Sequence, residues 1–256
     1  MSWNPDQYLK FAAPRLRPAI DLLAAVPLEH ARVIVDLGCG AGNVTRLLAE
    51  RWPQAQLSGV DNSAEMLAKA AGEVPGVRWL ECNLADWRAE RPADLIYSNA
   101  ALHWLPAHRE LFPRLLAQLE PGGVLAVQMP RNFAAPSHTA IADTVAAGPW
   151  RARLEHLLEP APVAPPDFYF DLLAPIAERV DIWETEYLQV LDGPDPVKEW
   201  TKGTWLKQFL DALDDPAERA AFERDYAERV AAAYPMRPDG RTLFPFRRLF
   251  IVATAV

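Results

Sequence analysis

Short apolar runs alternate with amphipathic segments over the first half of the chain. The apolar runs are rich in Val, Ile and Leu, which is typical of buried strands, and the segments between them have apolar residues at helical spacing. The predicted strands cover residues 32–37, 56–60, 77–82, 94–99 and 124–129, and the predicted helices cover residues 19–26, 43–51, 64–71 and 109–119. Elements that alternate in this way predict an α/β fold with a doubly wound, mostly parallel sheet and right-handed crossovers.

The alternation stops after Met129, where a stretch rich in proline and aromatic residues begins. Further along, two strands and two helices are predicted: strands over 180–190 and 249–253, and helices over 196–213 and 216–234. The sheet then has seven strands, and we expect the last one to be antiparallel. Three parts follow from this pattern: residues 1–129 with five strands, an insertion or cap over 130–178, and C-terminal strands over 179–256 with inserted cap helices at about 196–235.

Three local signals predict where helices begin or end. Pro18 precedes the apolar segment 19–26 and is expected to open that helix, because proline is favoured in a first turn. Ser63 is expected to cap the helix over 64–71. The Pro121-Gly122-Gly123 run is expected to end the helix over 109–119.

Composition excludes several classes of protein. The chain has 256 residues, of which 50% are hydrophobic, and a net charge of −8 without a basic run, so a nucleic-acid partner is not expected. No apolar run has membrane-spanning length, and the N-terminus lacks a signal-peptide pattern. The only two cysteines, Cys39 and Cys82, form no disulfide framework. We therefore expect a cytoplasmic protein without a membrane, metal or obligate protein partner.

A glycine-rich turn joins the first predicted strand to the next helix. It reads Gly38-Cys39-Gly40-Ala41-Gly42, and Asp36 precedes it. Asp61 ends the second predicted strand, where its carboxylate could accept two hydrogen bonds from a ribose diol. Glycines let a ligand lie against the main chain, so the sequence predicts a site for a nucleoside-type cofactor. A dinucleotide site would have its third glycine where Asn43 stands, and this difference favours another ligand.

The run from Val35 to Gly42 resembles motif I of the class I S-adenosylmethionine-dependent methyltransferases, and Asp61, Asn62 and Met66 resemble motif II. The resemblance implies a Rossmann-like fold with S-adenosyl-L-methionine as cofactor. It also implies roles: the glycine turn underlies the methionine part, Asp61 binds the ribose, and Asn62 and Met66 flank the adenine. The family usually has an acid at Asn83, whose amide oxygen can still accept from the adenine amino group. The cofactor-binding candidates are Asp36, Gly38, Cys39, Gly40, Asn43, Asp61, Asn62, Met66, Asn83, Leu84, Asn99, Trp104 and, in an N-terminal lid, Tyr8.

Stretches over nearly the whole chain resemble the bacterial trans-aconitate 2-methyltransferase family. They include Trp3-Asn4-Pro5 with Tyr8, Arg15 and Arg17, then Val127-Gln128-Met129-Pro130, Asp181-Ile182-Trp183, and Arg248-Leu249-Phe250-Ile251-Val252-Ala253. This family forms a methyl ester on one carboxylate of a small tricarboxylic acid. The resemblance therefore implies a small carboxylic acid, most simply trans-aconitate, as substrate.

One segment departs from that family. Where the family has Thr-Gly-Leu-Arg-Pro, this chain has Thr204-Trp205-Leu206-Lys207-Gln208. Arginine binds a carboxylate through two parallel hydrogen bonds, and lysine does not, so recognition of the acid could differ here. These positions could equally lie on the outer face of the cap. The substrate-binding candidates are Arg15, Arg17, His103, Trp183, Trp200, Trp205, Lys207 and Arg247, with Arg248 as a further cation.

Structural explanations stay open for most of these candidates. The N-terminal segment is either a lid or an arm packed on the sheet, and the tryptophans, His103 and single cations can serve packing or solubility. No general base is predicted, because a carboxylate is already ionised at neutral pH. Three other functions remain: a methyltransferase for a different carboxylic acid or natural product, a nicotinamide dehydrogenase, and a non-catalytic S-adenosylmethionine-binding module.

Overall fold

The computed structural model describes residues 12–158 and 160–256, with the backbone alone for residues 12–15. The helices are α1 (Ala12–Ala25), α2 (Asn43–Arg51), α3 (Ala64–Glu73), α4 (His108–Leu116), α5 (Pro136–Ala147), α6 (Arg151–Leu154), α7 (Pro166–Leu173), α8 (Pro196–Lys202), α9 (Lys207–Asp211) and α10 (Pro216–Ala233). The strands are β1 (Val33–Leu37), β2 (Gln56–Asp61), β3 (Arg78–Glu81), β4 (Ala93–Asn99), β5 (Leu119–Pro130), β6 (Ala177–Leu191) and β7 (Thr242–Ala255).

The strands form one seven-stranded sheet in the order β3-β2-β1-β4-β5-β7-β6. Strands β1 to β5 pair in parallel, whereas β7 runs antiparallel to β5. The predicted α/β class, the seven strands and the antiparallel last strand are therefore confirmed. Chain order reverses direction at β1 and β4, and in open α/β sheets the carboxyl ends of strands at such a point form a ligand crevice.

The chain divides into two compact units. Unit 2 contains residues 15–130, 162–185 and 248–256 and holds most of the sheet. Its central strands are fully buried at Ile34, Leu95, Leu125 and Ile251, because apolar β-branched and leucine side chains fill both faces of these strands. One unit boundary falls after Pro130, and residues 162–178 cluster with unit 2. The predicted division of the chain into three parts stays a prediction.

Within the described residues, unit 1 contains residues 131–158, 160–161 and 186–247, together with residues 12–14. Its helices α5, α8, α9 and α10 surround an apolar cluster that includes Trp150, Trp200, Phe209 and Phe222. These aromatic side chains are buried, so unit 1 has a hydrophobic core of its own. The stretch predicted only as an insertion thus supplies ordered helices.

Several predicted boundaries are wrong for identifiable reasons. Pro18 does not open its helix: residues 12–17 are already helical, so Pro18 lies inside α1. The helix predicted over 109–119 is α4, which ends at Leu116, and Pro121-Gly122-Gly123 belongs to β5 instead of ending the helix. The helix predicted over 196–213 is interrupted between Lys202 and Lys207, where residues 203–206 form a turn.

Other local signals are confirmed. α2 spans the predicted residues and begins after Gly42, whose φ of 80° few residues other than glycine adopt. Ser63 caps α3, and its hydroxyl accepts a hydrogen bond from the Met66 amide. These two helices start a few residues after β1 and β2, at the end of the sheet where the glycine turn lies.

Candidate active site

The glycine turn after β1 is tied to the end of β2. The amides of Gly38 and Cys39 both donate to the Val60 carbonyl, at 2.8 and 3.1 Å. Gly38, Gly40 and Gly42 have φ values of 79°, 53° and 80°. A turn with three left-handed residues needs glycine, because a Cβ disfavours that conformation. The backbone of the turn therefore lies against β2 in a defined path.

The glycines of this turn have different surroundings. A Cβ on Gly38 would lie 2.1 Å from the Ala101 Cβ, so packing excludes a side chain there. At Gly40 a Cβ would meet no atom of the described chain within 4 Å. The backbone at Gly40 is therefore accessible to a ligand, whereas Gly38 is required by the fold.

Asp61, at the carboxyl end of β2, is hydrogen-bonded to the glycine turn. One carboxylate oxygen accepts from the Gly40 amide at 2.8 Å, and the other accepts from the Ser63 amide at 3.0 Å. An ionised carboxylate has about four acceptor positions, so each oxygen can accept a further hydrogen bond. Asn62 is exposed beside it, and Met66 is buried in the first turn of α3. The predicted ribose and adenine candidates thus lie together at the ends of neighbouring elements.

Asp36 has a different environment, since only 1% of it is exposed. The Thr45 hydroxyl of α2 donates to its carboxylate at 2.6 Å. Burial raises the pKa of Asp36 to about 7, the Thr45 hydrogen bond lowers it, and the charge of Asp61 raises it. The pKa of the buried Cys39 thiol is also raised, by burial first and then by these two carboxylates. Asp36 therefore lies inside unit 2, at the foot of the glycine turn, rather than on its surface.

The ends of β3 and β4 supply further candidates. Asn83 is exposed, and its amide oxygen accepts from the Ala85 amide at 3.0 Å. The Leu84 side chain lies 3.6 Å from the point where a Gly38 Cβ would stand, so it borders the turn. The Oδ1 atom of Asn99 is buried and has no hydrogen-bond partner within the described residues. A buried acceptor without a donor is costly, and a bound ligand can supply the donor.

A short 3-10 helix follows Asn99 and carries the next two candidates. His103 is buried, whereas Trp104 is 47% exposed. Their ring centroids are 4.6 Å apart, so the two rings pack against each other. The structure thus brings Asn99, His103 and Trp104 to the same end of β4.

Three further substrate candidates, Arg15, Arg17 and Trp183, belong to unit 2. Arg17 is exposed on α1. Trp183 on β6 stacks on Phe250 of β7, with ring centroids 4.8 Å apart and planes 6° from parallel. The backbone of Arg15 lies in α1, and its side chain is outside the description. Tyr8 lies outside the described residues.

The candidates in unit 1 have partners or core positions. Trp200 belongs to the buried cluster, and Trp205 packs edge-on against Phe133. The Lys207 ammonium lies 2.6 Å from the Asp211 carboxylate one helical turn away. The Arg247 guanidinium lies 3.7 Å from the Glu186 carboxylate. A substrate-binding role for these four side chains therefore stays a prediction.

Sequence comparison decides the family. The family described as "Methyltransferase domain" matches residues 34–123. A protein named trans-aconitate 2-methyltransferase from Azoarcus sp. (strain BH72) is 51% identical over 252 residues, which are 98% of each chain. One of the same name from Rhodopseudomonas palustris (strain BisB18) is 46% identical over 98% of each chain. The chain belongs to the trans-aconitate 2-methyltransferase family. The predicted family and enzyme class, an S-adenosylmethionine-dependent methyltransferase, are thereby confirmed.

Solved structures agree with this fold. YcgJ from Bacillus subtilis aligns with a TM-score of 0.59 over 93% of this chain and 98% of its own, at 14% identity. Phosphoethanolamine N-methyltransferase 2 from Haemonchus contortus, solved with S-adenosyl-L-methionine, aligns with a TM-score of 0.52 over 93% of this chain and 52% of its own, at 16% identity. At such identities the likeness concerns the fold alone.

The residues at the carboxyl ends of β1, β2 and β4 fit S-adenosyl-L-methionine. The backbone at Gly40 is accessible, Asp61 has acceptor positions left for a diol, and the Asn99 oxygen lacks a donor within the described chain. A primary ammonium and a ribose diol on one ligand supply the complementary donors. The predicted cofactor is therefore consistent with the chemistry of these side chains.

Two residues of this region escaped sequence reasoning. Thr45 hydrogen-bonds Asp36, and nothing in the amphipathic pattern of α2 distinguishes it from other polar helix residues. Gln128 is fully buried in β5, and a signal existed: it is the one polar residue in the apolar run from Val124 to Met129. No group of three or more His, Cys, Asp or Glu side chains in the described residues could hold a metal ion. Within that same part of the chain, helices both long and apolar enough to cross a membrane are absent.

Proposed function

We propose that this protein transfers the methyl group of S-adenosyl-L-methionine to one carboxylate of trans-aconitate and releases a methyl ester. The observation that carries the proposal is the 51% identity with a trans-aconitate 2-methyltransferase over 98% of both chains. This identity supports the acid expected from the sequence, a small polycarboxylic acid and most simply trans-aconitate. We also propose a cytoplasmic location, in keeping with the acidic, two-cysteine composition.

The cofactor would be held by groups at the carboxyl ends of β1, β2 and β4. Asp61 would accept from the ribose hydroxyls, the backbone at Gly40 would lie against the amino-acid part, and Asn99 would accept from its ammonium group. When bound, S-adenosyl-L-methionine supplies a methyl group attached to positively charged sulfur. Met66, at the start of α3, would pack against the adenine.

The protein contributes position and a dry environment rather than a general base. The substrate carboxylate is ionised at neutral pH, since its ordinary pKa is about 4. An oxygen electron pair forms the new bond to the methyl carbon while the bond from carbon to sulfur breaks and its electrons stay on sulfur. Holding the two reacting atoms in line at about 3 Å can supply several kcal/mol. The opposite charges cancel as the reaction proceeds, so exclusion of water by side chains such as His103 and Trp104 favours the transfer.

A radiolabelled-methyl assay tests this function. The purified protein is incubated with labelled S-adenosyl-L-methionine and a panel of acids: trans-aconitate, cis-aconitate, citrate, isocitrate and fumarate. We expect the highest kcat/KM for trans-aconitate, with a monomethyl ester identified by mass spectrometry. Tight binding of the cofactor without labelled ester from any acid would support a non-catalytic binding module instead.

A methyltransferase for a different carboxylic acid is the second candidate. The observation that favours it is the altered segment at Trp205 and Lys207, where Lys207 is also paired with Asp211. In this case another acid in the panel has the higher kcat/KM. Lys207→Arg restores the family residue, and under this second candidate it should shift the ratio of kcat/KM values toward trans-aconitate. An unchanged ratio would separate Lys207 from substrate choice.

A further inference from the structure

Three side chains of unit 2 lie on one face of the sheet, near the carboxyl end of β4. Asn99 of β4 is the register partner of Gln128 of β5, and Gln128 is the register partner of Phe250 of β7. Arg248 lies two residues before Phe250 and opposite Pro130. Register partners, and residues two apart on one strand, project to the same face, so Asn99, Gln128 and Arg248 form a polar row there.

This polar row is buried. Gln128 is fully buried, and Arg248 is 4% exposed. The Arg248 Nη1 atom donates to the Gln128 Oε1 atom at 3.2 Å. Arginine is seldom buried unless its guanidinium is paired, because desolvating that group is costly. The row is therefore a buried polar network rather than part of the apolar packing of the sheet.

The contact between the two side chains fixes the orientation of the Gln128 amide. A guanidinium only donates hydrogen bonds, so the Gln128 atom that faces it must be the oxygen. The amide nitrogen then faces the other way, and Gln128 Nε2 is buried without a hydrogen-bond partner among the residues that the structure describes. Gln128 thus orients the Arg248 guanidinium and also presents a donor of its own.

The Arg248 guanidinium and the Gln128 amide nitrogen are both hydrogen-bond donors, and together they suit an anion with several acceptor positions. A carboxylate accepts from a guanidinium and from an amide N–H at the same time. Neighbouring strands lie about 4.8 Å apart, so Gln128 is next to Asn99, whose Oδ1 atom has no hydrogen-bond partner within the described residues. Trp183, stacked on Phe250, adds an apolar surface beside the row. The donors and the cofactor candidates therefore share one end of the sheet.

We infer that Arg248 and Gln128 bind a carboxylate of the substrate acid, an assignment that rests on the function proposed above. The bound carboxylate is the anchor rather than the nucleophile, since a guanidinium withdraws electron density from the oxygens it binds. A second carboxylate of the same molecule attacks the methyl carbon. The pair thereby selects acids with at least two carboxylates and sets which one becomes the ester.

Equilibrium binding tests this assignment independently of turnover. Trans-aconitate is titrated by calorimetry into the full chain saturated with S-adenosylhomocysteine. Arg248→Lys should raise the Kd for the acid about 10- to 100-fold, and Gln128→Met should raise it about tenfold, because each removes hydrogen bonds to a charged group. Affinity for S-adenosylhomocysteine should stay near wild type in both variants. Arg78→Lys is the matched control, because Arg78 is exposed on β3 and paired with Glu90 at 2.6 Å.

The possible outcomes separate the two proposals. Wild-type affinity for trans-aconitate in either Arg248→Lys or Gln128→Met, with cofactor binding intact, overturns the assignment of a substrate carboxylate to these two residues. If Arg248→Lys fails to bind S-adenosylhomocysteine because it does not fold, Gln128→Met decides alone. A wild-type protein that binds trans-aconitate but transfers no methyl group to it contradicts the proposed function and leaves the anchor standing. A wild-type protein that does not bind the acid overturns both.

Discussion

At the scale of single residues, two carboxyl groups near the glycine turn have opposite environments. Asp61 is half-buried and accepts hydrogen bonds from the Gly40 and Ser63 amides. Asp36 is buried, and burial raises its pKa to about 7. Asp61 is suited to a ligand with hydroxyl groups, whereas Asp36 is hydrogen-bonded to Thr45 inside unit 2.

Asp61→Ala should weaken cofactor binding selectively. The change removes a charged acceptor from the diol and from the Gly40 amide, and hydrogen bonds to charged groups contribute about 1.5–3 kcal/mol each. We expect the Kd for S-adenosylhomocysteine, measured by calorimetry, to rise about 10- to 100-fold, while the KM for the acid stays near wild type. Asp143→Asn on the exposed face of α5 is a control. Wild-type affinity for the cofactor would exclude a ribose contact by Asp61.

Asp36 should make the protein less stable as pH rises. Its pKa is about 7 in the folded chain against an ordinary value of 3.8, so between these values the folded state binds more protons than the unfolded state. Its contribution to stability is therefore lost as pH increases through this window. Asp36→Asn removes this titration.

Urea unfolding of the wild type and of Asp36→Asn at pH 5 and pH 7.5 measures the effect. From pH 5 to pH 7.5, the wild type should lose about 2–3 kcal/mol of unfolding free energy relative to the variant. Parallel pH profiles of the two proteins would show that Asp36 is ionised throughout, and would place its folded pKa below this range.

At the scale of elements, the glycine turn combines a structural and a binding role at different positions. Gly38 packs against Ala101, whereas a Cβ on Gly40 would meet no atom of the described residues within 4 Å. Gly42 precedes the first residue of α2, and Ser63 caps α3, so both helices begin beside the candidate site. A single motif in the sequence therefore contains residues required by the fold and a residue available to the ligand.

Gly38→Ala and Gly40→Ala should separate these roles. At Gly38 a Cβ would overlap the Ala101 Cβ, so we expect a loss of at least about 2 kcal/mol of unfolding free energy. At Gly40 only the positive φ opposes alanine, at a cost of about 1–2 kcal/mol, but the new methyl group occupies the surface meant for the cofactor. Thermal unfolding and calorimetry with S-adenosylhomocysteine measure both effects. If Gly40→Ala binds the cofactor with wild-type affinity, the ligand does not lie against the backbone of this turn.

At the scale of the whole molecule, the chain contains two compact units with separate cores. The proposed contacts of Asp61, Gly40 and Asn99 all belong to unit 2, whereas Trp200 and Phe222 belong to the core of unit 1. Within the described residues the chain passes between the units five times, at 14–15, 130–131, 161–162, 185–186 and 247–248. Ligand binding can therefore be followed separately in each unit.

Cofactor binding should protect unit 2 first. At 100 times its Kd, S-adenosylhomocysteine adds about 2.7 kcal/mol to the stability of the part that binds it. We expect hydrogen exchange to slow most at the amides of Gly38, Cys39 and Gly40, and least in α10 of unit 1. Equal slowing in both units would show that they open as one cooperative body.

The alternation of strands and helices up to Met129 was predictable, because it depends on local periodicity and on turn residues. In this part of the chain, up to Met129, the strand boundaries differ from the prediction by one residue at most, apart from β5, which starts earlier at Leu119. The helices of unit 1 were harder to predict, since α8 and α9 are short and are fixed by burial of Trp200, Phe209 and Leu210 in a shared core. Pro18 shows the same limit, because a residue's position within a helix depends on where that helix begins.

The sequence by itself determined the sheet class, the glycine turn with Asp36 and Asp61, and the family. These features depend on residues that are close along the chain or on the residues quoted for the resemblance. Only the tertiary structure decided that Asp36 is buried on Thr45, that Lys207 is paired with Asp211, and that Arg248 meets Gln128. The last pair is separated by 120 residues and is brought together by the antiparallel pairing of β5 with β7. Burial and pairing at such separations are properties of the folded chain, and no local pattern encodes them.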